Sequence, residues 1–471
     1  MLAVMTSPVT LPLWLLLLIL AFAAVTFASH FLFPSVRWFL RRRAEKVVAR
    51  LNTRLTRPIE PFKLLKRQDT IQRLIYDPRV VEAVAEHARE NGMREDVAFQ
   101  VAHRYAREIV PSFSATTYFG VAVRLARLLA RAFYRVRSAP MPAELAEALA
   151  SDAALVFVMN HRSNMDYVLV IHLAAEQSTL SFAAGEWARV WPLGALVRGA
   201  GAYFVHRRSR NALYRRVMAR YVQMAINGGV AQAIFPEGGL SLDGRVGLPK
   251  LGLLHYIIED FDRENGRDVI FVPVALNYDR VLEDRVLVRA ATSGKRKFRL
   301  RLRSVIRYFF RHAWQRLTGT FVKFGYAAVE YGEPLSLRKF TARSRKDPTA
   351  ALGRELMKRV RVMVPITPIP LLAGILAELD GEIRLDELVS QLVSLLSAGG
   401  AEMVELSESP ETEAQLAVNH FLMRQMIEVD GGLVRVLPGN DELLAYYAAS
   451  IEHHTNAAAA KQSKVSATAG S

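Results

Sequence analysis

Between residues 153 and 278 short apolar runs alternate with segments of helical period, and this alternation limits the possible folds more than any other feature of the chain. The runs are Ala154–Met159, Thr179–Ala183, Ala202–Val205, Val230–Phe235 and Val269–Ala275. Between them lie Tyr167–Ala175, Val190–Gly199 and Ala212–Asn227. Strand-like runs separated by helix-like segments are the pattern of an α/β sheet domain. The predicted fold class is therefore α/β: a mixed sheet flanked by helices over 141–345, with helical accessory regions on either side.

Residues 34–140 read as a basic helical region. Val80–Glu90 and Glu95–Ile109 repeat apolar residues at helical spacing, and Pro58 and Pro61 break the first stretch. Ser138-Ala139-Pro140-Met141-Pro142 reads as a linker. Residues 346–456 are mainly helical, with a hairpin turn at Val429-Asp430-Gly431-Gly432-Leu433. Residues 457–471 are small and polar, as in a disordered tail. There is no internal repeat.

Leu13 to Ala28 is almost unbroken Leu, Ile, Ala, Val and Phe, and the apolar stretch runs on to Phe33. About twenty helical residues span the roughly 30 Å of bilayer hydrocarbon. No Lys or Arg precedes the stretch, whereas Arg37, Arg41, Arg42, Arg43, Lys46 and Arg50 follow it. The expectation is a transmembrane anchor over 1–33, with the rest of the chain on the cytoplasmic face of the cell membrane. A cleaved signal peptide would open on basic residues, and this segment does not.

The net charge is +17, a balance that attracts polyanions. No helix-turn-helix, zinc or RNA-binding signature accompanies it, so nucleic acid is not an expected partner. Arg285 to Arg316 is basic and aromatic, with Lys295-Arg296-Lys297, Tyr308, Phe309, Phe310 and Trp314. Two readings stay open for it, a surface lying on anionic membrane lipid or a solvated charged face. The chain has no cysteine, which excludes thiolate nucleophiles, disulfides and Cys-based metal sites.

Asn160-His161-Arg162-Ser163-Asn164-Met165-Asp166 directly follows the run ending at Met159, at the C-terminal end of a predicted strand. Open α/β sheets bind ligands there. Across a strand-to-helix turn the Asp166 carboxylate can accept from one ring nitrogen of His161 and leave the other free as a base. On these seven residues alone, a helix-start cluster of Asn, Ser and Asp is an equal reading. With no cysteine and no G-x-S-x-G elbow, direct transfer fits better than an acyl-enzyme. Phe235-Pro236-Glu237-Gly238-Gly239 ends another run in a turn with free backbone N–H groups, which suits an anion.

Taken in order, four segments resemble the blocks of the glycerolipid acyltransferase superfamily. They are Asn160–Asp166 (N-H-x-x-x-x-D), Gly201–Arg207 (G-x-x-F-x-x-R), Phe235–Gly238 (F-P-E-G) and Val272-Pro273-Val274. Gly244-Arg245, Pro249–Leu254, Asn277–Glu283, Tyr331–Pro334 and Leu443–Tyr447 are similar to stretches of glycerol-3-phosphate and dihydroxyacetone-phosphate acyltransferases. The resemblance implies His161 as general base, Asp166 orienting it, and Arg207 gripping an acceptor phosphate. It implies Glu237, Gly238 and Gly239 at the acceptor pocket, and no metal or prosthetic group. The acyl donor would be acyl-CoA or acyl carrier protein, as a co-substrate thioester. One departure stands out: the third block often carries arginines where this chain has Leu240 and Leu242, so Arg245, Lys250, Arg208 or His206 would substitute as phosphate ligands.

The expected function is O-acyl transfer to glycerol 3-phosphate in phospholipid biosynthesis. The alternatives are the same chemistry on 1-acylglycerol 3-phosphate or another lysolipid, a thioesterase with water as acceptor, and a non-catalytic membrane scaffold. An intact His161/Asp166 pair counts against the last.

Overall fold

The structure, a computed structural model, describes the chain except residues 1–11, 175–176, 178, 186–192, 206–210, 295–322, 344–345, 401 and 456–471. Side chains of residues 27–38, 40–41, 43–44 and 193 are also outside the description. The expected disordered tail and most of the basic aromatic stretch therefore lie outside the described residues. The chain divides into two compact units, Met1–Pro58 and Ile59–Ser471.

The first unit holds one helix, α1 (Leu13–Asn52). Its described side chains from Leu13 to Val25 are nearly all exposed, on every side of the helix. Among the described residues no helix is long and apolar enough to cross a membrane; residues 1–11 and the side chains of 27–33, which belong to the expected span, lie outside the description.

The second unit is mixed α/β. After a single helical turn, Pro61–Leu64, come three longer helices: α2 (Arg67–Ile75), α3 (Pro78–Glu90) and α4 (Glu95–Ile109). A π-helical turn, Thr116–Ala122, then runs into α5 (Val123–Phe133). The eight-stranded sheet comprises β1 (Arg135–Ser138), β2 (Ala154–Met159), β3 (Ser181–Ala184), β4 (Tyr203–Phe204), β5 (Gln232–Ile234), β6 (Val269–Tyr278), β7 (Tyr326–Tyr331) and β8 (Leu335–Ser336). Its order is β1-β7-β6-β2-β5-β3-β4, with β8 paired to β6. Strands β2 to β6 run parallel, and β6 pairs antiparallel with both β7 and β8.

Register decides the layering. In β2, Leu155, Phe157 and Met159 point into one core, with α5 and the C-terminal helices. Ala154, Val156 and Val158 point into the other, with α2 to α4. All six residues are buried, and a strand covered on both faces reads as an unbroken apolar run. Strand β5 enters late, between β2 and β3, so the loops leaving β2 and β5 emerge side by side at the C-terminal edge of the sheet.

Besides the short helices Ala143–Ala150 and Leu337–Thr341, the unit holds α6 (Met165–Ala174), α7 (Leu193–Gly199), α8 (Ala212–Asn227), α9 (Gly252–Ile258), α10 (Asp284–Ser293), α11 (Pro348–Val362), α12 (Pro368–Ala377), α13 (Leu385–Ala398), α14 (Pro410–Met423) and α15 (Asp441–Ala448). A three-stranded sheet lies among the last of them: β9 (Glu382–Arg384), β10 (Ile427–Asp430) and β11 (Leu433–Val436). The expected hairpin turn joins β10 to β11. Gly431 and Gly432 take φ of 56° and 84°, the positive values a two-residue turn of this kind needs.

Candidate active site

The chain leaves β2 at Met159 and re-enters a helix at Met165, and the five residues between are pinned from both sides. The Asn160 amide bonds the main chain of Leu276 twice, at 2.9 and 2.8 Å, which ties the loop to the neighbouring strand β6. Asp166, in the first turn of α6, reaches back over the loop. Its Oδ2 accepts from Arg162 N (2.8 Å), Ser163 N (3.1 Å) and His161 Nδ1 (2.8 Å). Its Oδ1 accepts from the Tyr278 hydroxyl at 2.7 Å. A carboxylate accepting the hydrogen bond of Nδ1–H fixes the ring tautomer and leaves the lone pair on Nε2. Asp166 and His161 are both buried, and the imidazole stacks on Phe235 at 4.2 Å and meets the edge of Tyr167 at 5.5 Å.

The loop after β5 closes on the same place. Glu237 Oε1 accepts from His161 N at 3.0 Å, and Ser241 N donates to His161 O at 2.8 Å. Burial pushes the Glu237 carboxyl up to about 7, against the N–H groups of His161 and Gly247, which favour its charged form. On the far side Glu283 takes the Ser163 hydroxyl (2.7 Å) and the Asn164 amide (2.9 Å), and burial raises its pKa too. Arg162, 1% exposed, donates to Gly244 O and lies 4.9 Å from the ring centre of Tyr446 in α15.

Two cavities meet at Tyr167, which lines both. The larger, about 390 Å³, is bordered by Phe235, Pro236, Gly238, Lys250, Tyr214 and Arg215. The smaller, about 150 Å³, is almost wholly apolar and lies between α5, α6 and α7 against Phe182 and Ala184.

The family model described as Acyltransferase matches residues 143–277, and the one described as Glycerol-3-phosphate acyltransferase C-terminal region matches 314–461. Residues 143–277 thus match an acyltransferase domain. Curated proteins named glycerol-3-phosphate acyltransferase are similar to it. One from Alteromonas mediterranea is 29% identical, over 59% of this chain and 33% of the relative. One from Pseudomonas aeruginosa is 26% identical, over 83% of this chain and 49% of the relative. The chain thus spans half or less of the length of these relatives. A solved structure of a 1-acyl-sn-glycerophosphate acyltransferase from Thermotoga maritima aligns at a TM-score of 0.31 and 20% identity, covering 51% of this chain and 76% of that one. That overlap is too loose to equate the two folds.

Within the acyltransferase domain the structure brings His161, Asp166 and Glu237 together. Glu237 is engaged with the main chain of His161 and Gly247. Gly238 sits at φ 64° with the Lys250 side chain laid over it; a Cβ there would come 2.7 Å from Lys250 Cδ. Gly239 follows in the same turn, half-buried. Lys250 N donates to Pro236 O at 2.7 Å, which holds its side chain at the larger cavity. Arg245 goes elsewhere: its guanidinium pairs with Glu452 at 2.5 Å and is half-exposed. Leu240 and Leu242 pack against the hydrophobic core. His206, Arg207 and Arg208 lie outside the described residues. Sequence reasoning gave no role to Tyr278, Glu283, Tyr167 or Arg162. All four lie inside or beside the matching blocks, but nothing in their spacing signals the contacts they make.

Proposed function

We propose that this acyltransferase domain moves a fatty acyl group from acyl-CoA or acyl carrier protein to a hydroxyl of glycerol 3-phosphate, a step of phospholipid synthesis. The observation that carries the reading is the buried His161–Asp166 pair beside Tyr167, where a cation-bordered cavity and an apolar one meet. The acceptor phosphate suits the Lys250 and Arg215 side, and the acyl chain suits the apolar side. His161 Nε2 takes the hydroxyl proton as the oxygen attacks the thioester carbonyl. The C–O bond forms, the C–S bond breaks, and the proton passes to the leaving thiolate. Asp166 holds the imidazolium that forms in between. The co-substrate thioester supplies the acyl group, with no metal or prosthetic group in the scheme.

A second reading, transfer to 1-acylglycerol 3-phosphate or another lysolipid, is favoured by one feature: the aliphatic packing of Leu240 and Leu242. Purified protein with labelled acyl-CoA and a panel of acceptors decides between them. Esterification of glycerol 3-phosphate supports the first; turnover confined to lysolipids replaces it with the second. Thioester loss without any acceptor defeats both.

We further propose that α1, with its exposed apolar side chains, holds the protein at the cell membrane with the acyltransferase domain on the cytoplasmic face. A reporter fused after Lys66 should behave as cytoplasmic, and periplasmic behaviour would refute this orientation.

A further inference from the structure

Tyr278 ends β6 wholly buried, and its hydroxyl donates to Asp166 Oδ1 at 2.7 Å. Among the described residues no other donor reaches that oxygen, whereas Oδ2 serves three N–H groups. The phenol cannot follow the carboxylate if the loop shifts, because its own backbone is fixed on both sides. Before it, the Asn277 amide donates to Pro365 O at 2.8 Å and accepts from Tyr278 N at 3.0 Å. After it, Asp279 takes the N–H groups of Tyr326 (2.7 Å) and Ile369 (3.0 Å). The ring leans on that of Tyr134, with centres 5.4 Å apart. Burial and the neighbouring Asp166 charge push the phenol well above its ordinary titration range, so it stays a donor.

We propose that Tyr278 is a positioning residue for the base: its hydroxyl holds Asp166 in place and, by sharing the charge on Oδ1, limits how hard Oδ2 pulls on the His161 Nδ1–H. The inference rests on the acyl-transfer reading, in which Nε2 takes the acceptor proton. A buried carboxylate with one oxygen unpaired turns its full charge toward the ring it touches. The imidazolium then forms too readily, and a proton occupies Nε2 over more of the pH range. With the phenol in place the charge is divided between the ring side and the β6 side, and Nε2 stays free to accept. The other ionisable groups around the pair are Glu237 at the His161 N–H, Arg162 in the loop, Glu283 beyond Ser163 and Asn164, and Tyr446 of α15. None of these bonds Oδ1, so none replaces Tyr278.

Tyr278→Phe keeps the ring and removes only the hydroxyl. Tyr134→Phe is the control, since that hydroxyl is also on a buried residue but donates to Arg280 O at 2.7 Å. Rates of acyl-CoA consumption with glycerol 3-phosphate are followed against pH in the full-length protein. A ring that holds its proton more tightly loses its free Nε2 at a higher pH as the solution is acidified. Tyr278→Phe should therefore move the acid limb of kcat/KM up by about one pH unit, a roughly tenfold loss at fixed pH on the limb, and keep the alkaline plateau within about threefold. A tenfold change is about 1.4 kcal/mol, near the lower end of what a hydrogen bond to a charged group contributes. Glu237, pushed up to about 7 by burial, titrates in the same range in every variant, so the difference between profiles is what is read. A profile scaled down without a shift overturns the proposal, because loss of packing alone gives that result. An equal shift in Tyr134→Phe overturns it too. A second measurement uses no substrate. The His161 Nδ1–H proton resonance, assigned by its loss in His161→Gln, should move downfield in Tyr278→Phe and stay in Tyr134→Phe; an unmoved resonance refutes the coupling. Replacing Tyr278 by 3-fluorotyrosine, a stronger donor of nearly the same shape, should move both readouts the opposite way, and serves if the phenylalanine variant does not fold. If the native protein esterifies no acceptor, the acyl-transfer reading fails, while the resonance still decides the coupling between Tyr278 and His161.

Discussion

Replacing Asp166 by Asn tests the site at its most connected atom pair. In the native loop Oδ2 takes three N–H donors and Oδ1 takes the Tyr278 hydroxyl. An asparagine of the same shape keeps its oxygen for the three N–H groups, and its amide can face Tyr278 once that hydroxyl turns to accept. The fold should therefore lose only about 1 kcal/mol, the worth of one rearranged hydrogen bond. Catalysis should lose far more. When His161 takes the acceptor proton it becomes a cation 2.8 Å from Oδ2, and the amide no longer offers a charge to meet it. At an effective dielectric near 20, two unit charges at that separation attract by about 6 kcal/mol, an upper bound from which the amide dipole retains a part. A net loss of about 3–5 kcal/mol in the transition state is roughly 10²–10⁴ in kcat. Both KM values should stay close to native, since Asp166 is buried behind the ring. The assay is thiol release from acyl-CoA followed with a thiol reagent, for which a cysteine-free chain gives no protein background. A kcat within about threefold of native, in a variant melting normally, would refute the assignment of Asp166 as partner of the base.

Three further outcomes follow from the same coordinates. Because the Glu237 carboxyl is raised from 4.5 to about 7, it lends stability below pH 4.5 that is lost as pH rises to about 7, on the order of 3 kcal/mol. Glu237→Gln should flatten that part of the stability curve in urea melts, so that the variant gains on native at pH 8 and loses to it at pH 5; parallel curves would reject the burial argument. Gly244→Ala should unfold the chain or cost more than about 3 kcal/mol, since φ is 86° and a Cβ would overlap the Tyr446 carbonyl; a normal melting temperature would contradict the packing of α15 on this loop. Leu240→Arg should cost about 1–3 kcal/mol by removing packed apolar surface, rather than simply adding a phosphate ligand; an unchanged melt with improved glycerol 3-phosphate KM would show the position to be open.

How much of this was legible in the sequence depended on distance along the chain. Strand β2 matches its apolar run from Ala154 to Met159, because both faces are covered and no polar residue interrupts it. Helix α8 was likewise readable from Ala212 to Asn227. β1 was not: Arg135-Val136-Arg137-Ser138 is four residues with alternate arginines, and it is a strand only because β7, residues 326–331, pairs with it. In the site, His161 and Asp166 are five residues apart across one turn, so their contact could be anticipated. Tyr278 reaches the same carboxylate from 112 residues away and Glu283 reaches Ser163 from 120, and no local period encodes such meetings. Arg245 shows the opposite error. Its nearness in sequence to the third block suggested a phosphate ligand, but the turn at Gly244 sends it to Glu452.

The clasp between Arg162, Gly244 and Tyr446 has a temporal side. The loop bearing His161 is made well before α15, the helix that covers its neighbour Arg162. Until residue 446 has left the ribosome, a buried cation lacks its aromatic lid and Gly244 has nothing to turn against. A chain interrupted between Val274 and α15 would hold all four blocks and still lack a settled active loop. A fragment stalled there would lack the support that α15 gives the loop. Thiol release from ribosome-bound chains of increasing length measures this directly: activity appearing before α15 is exposed would show that the clasp is dispensable.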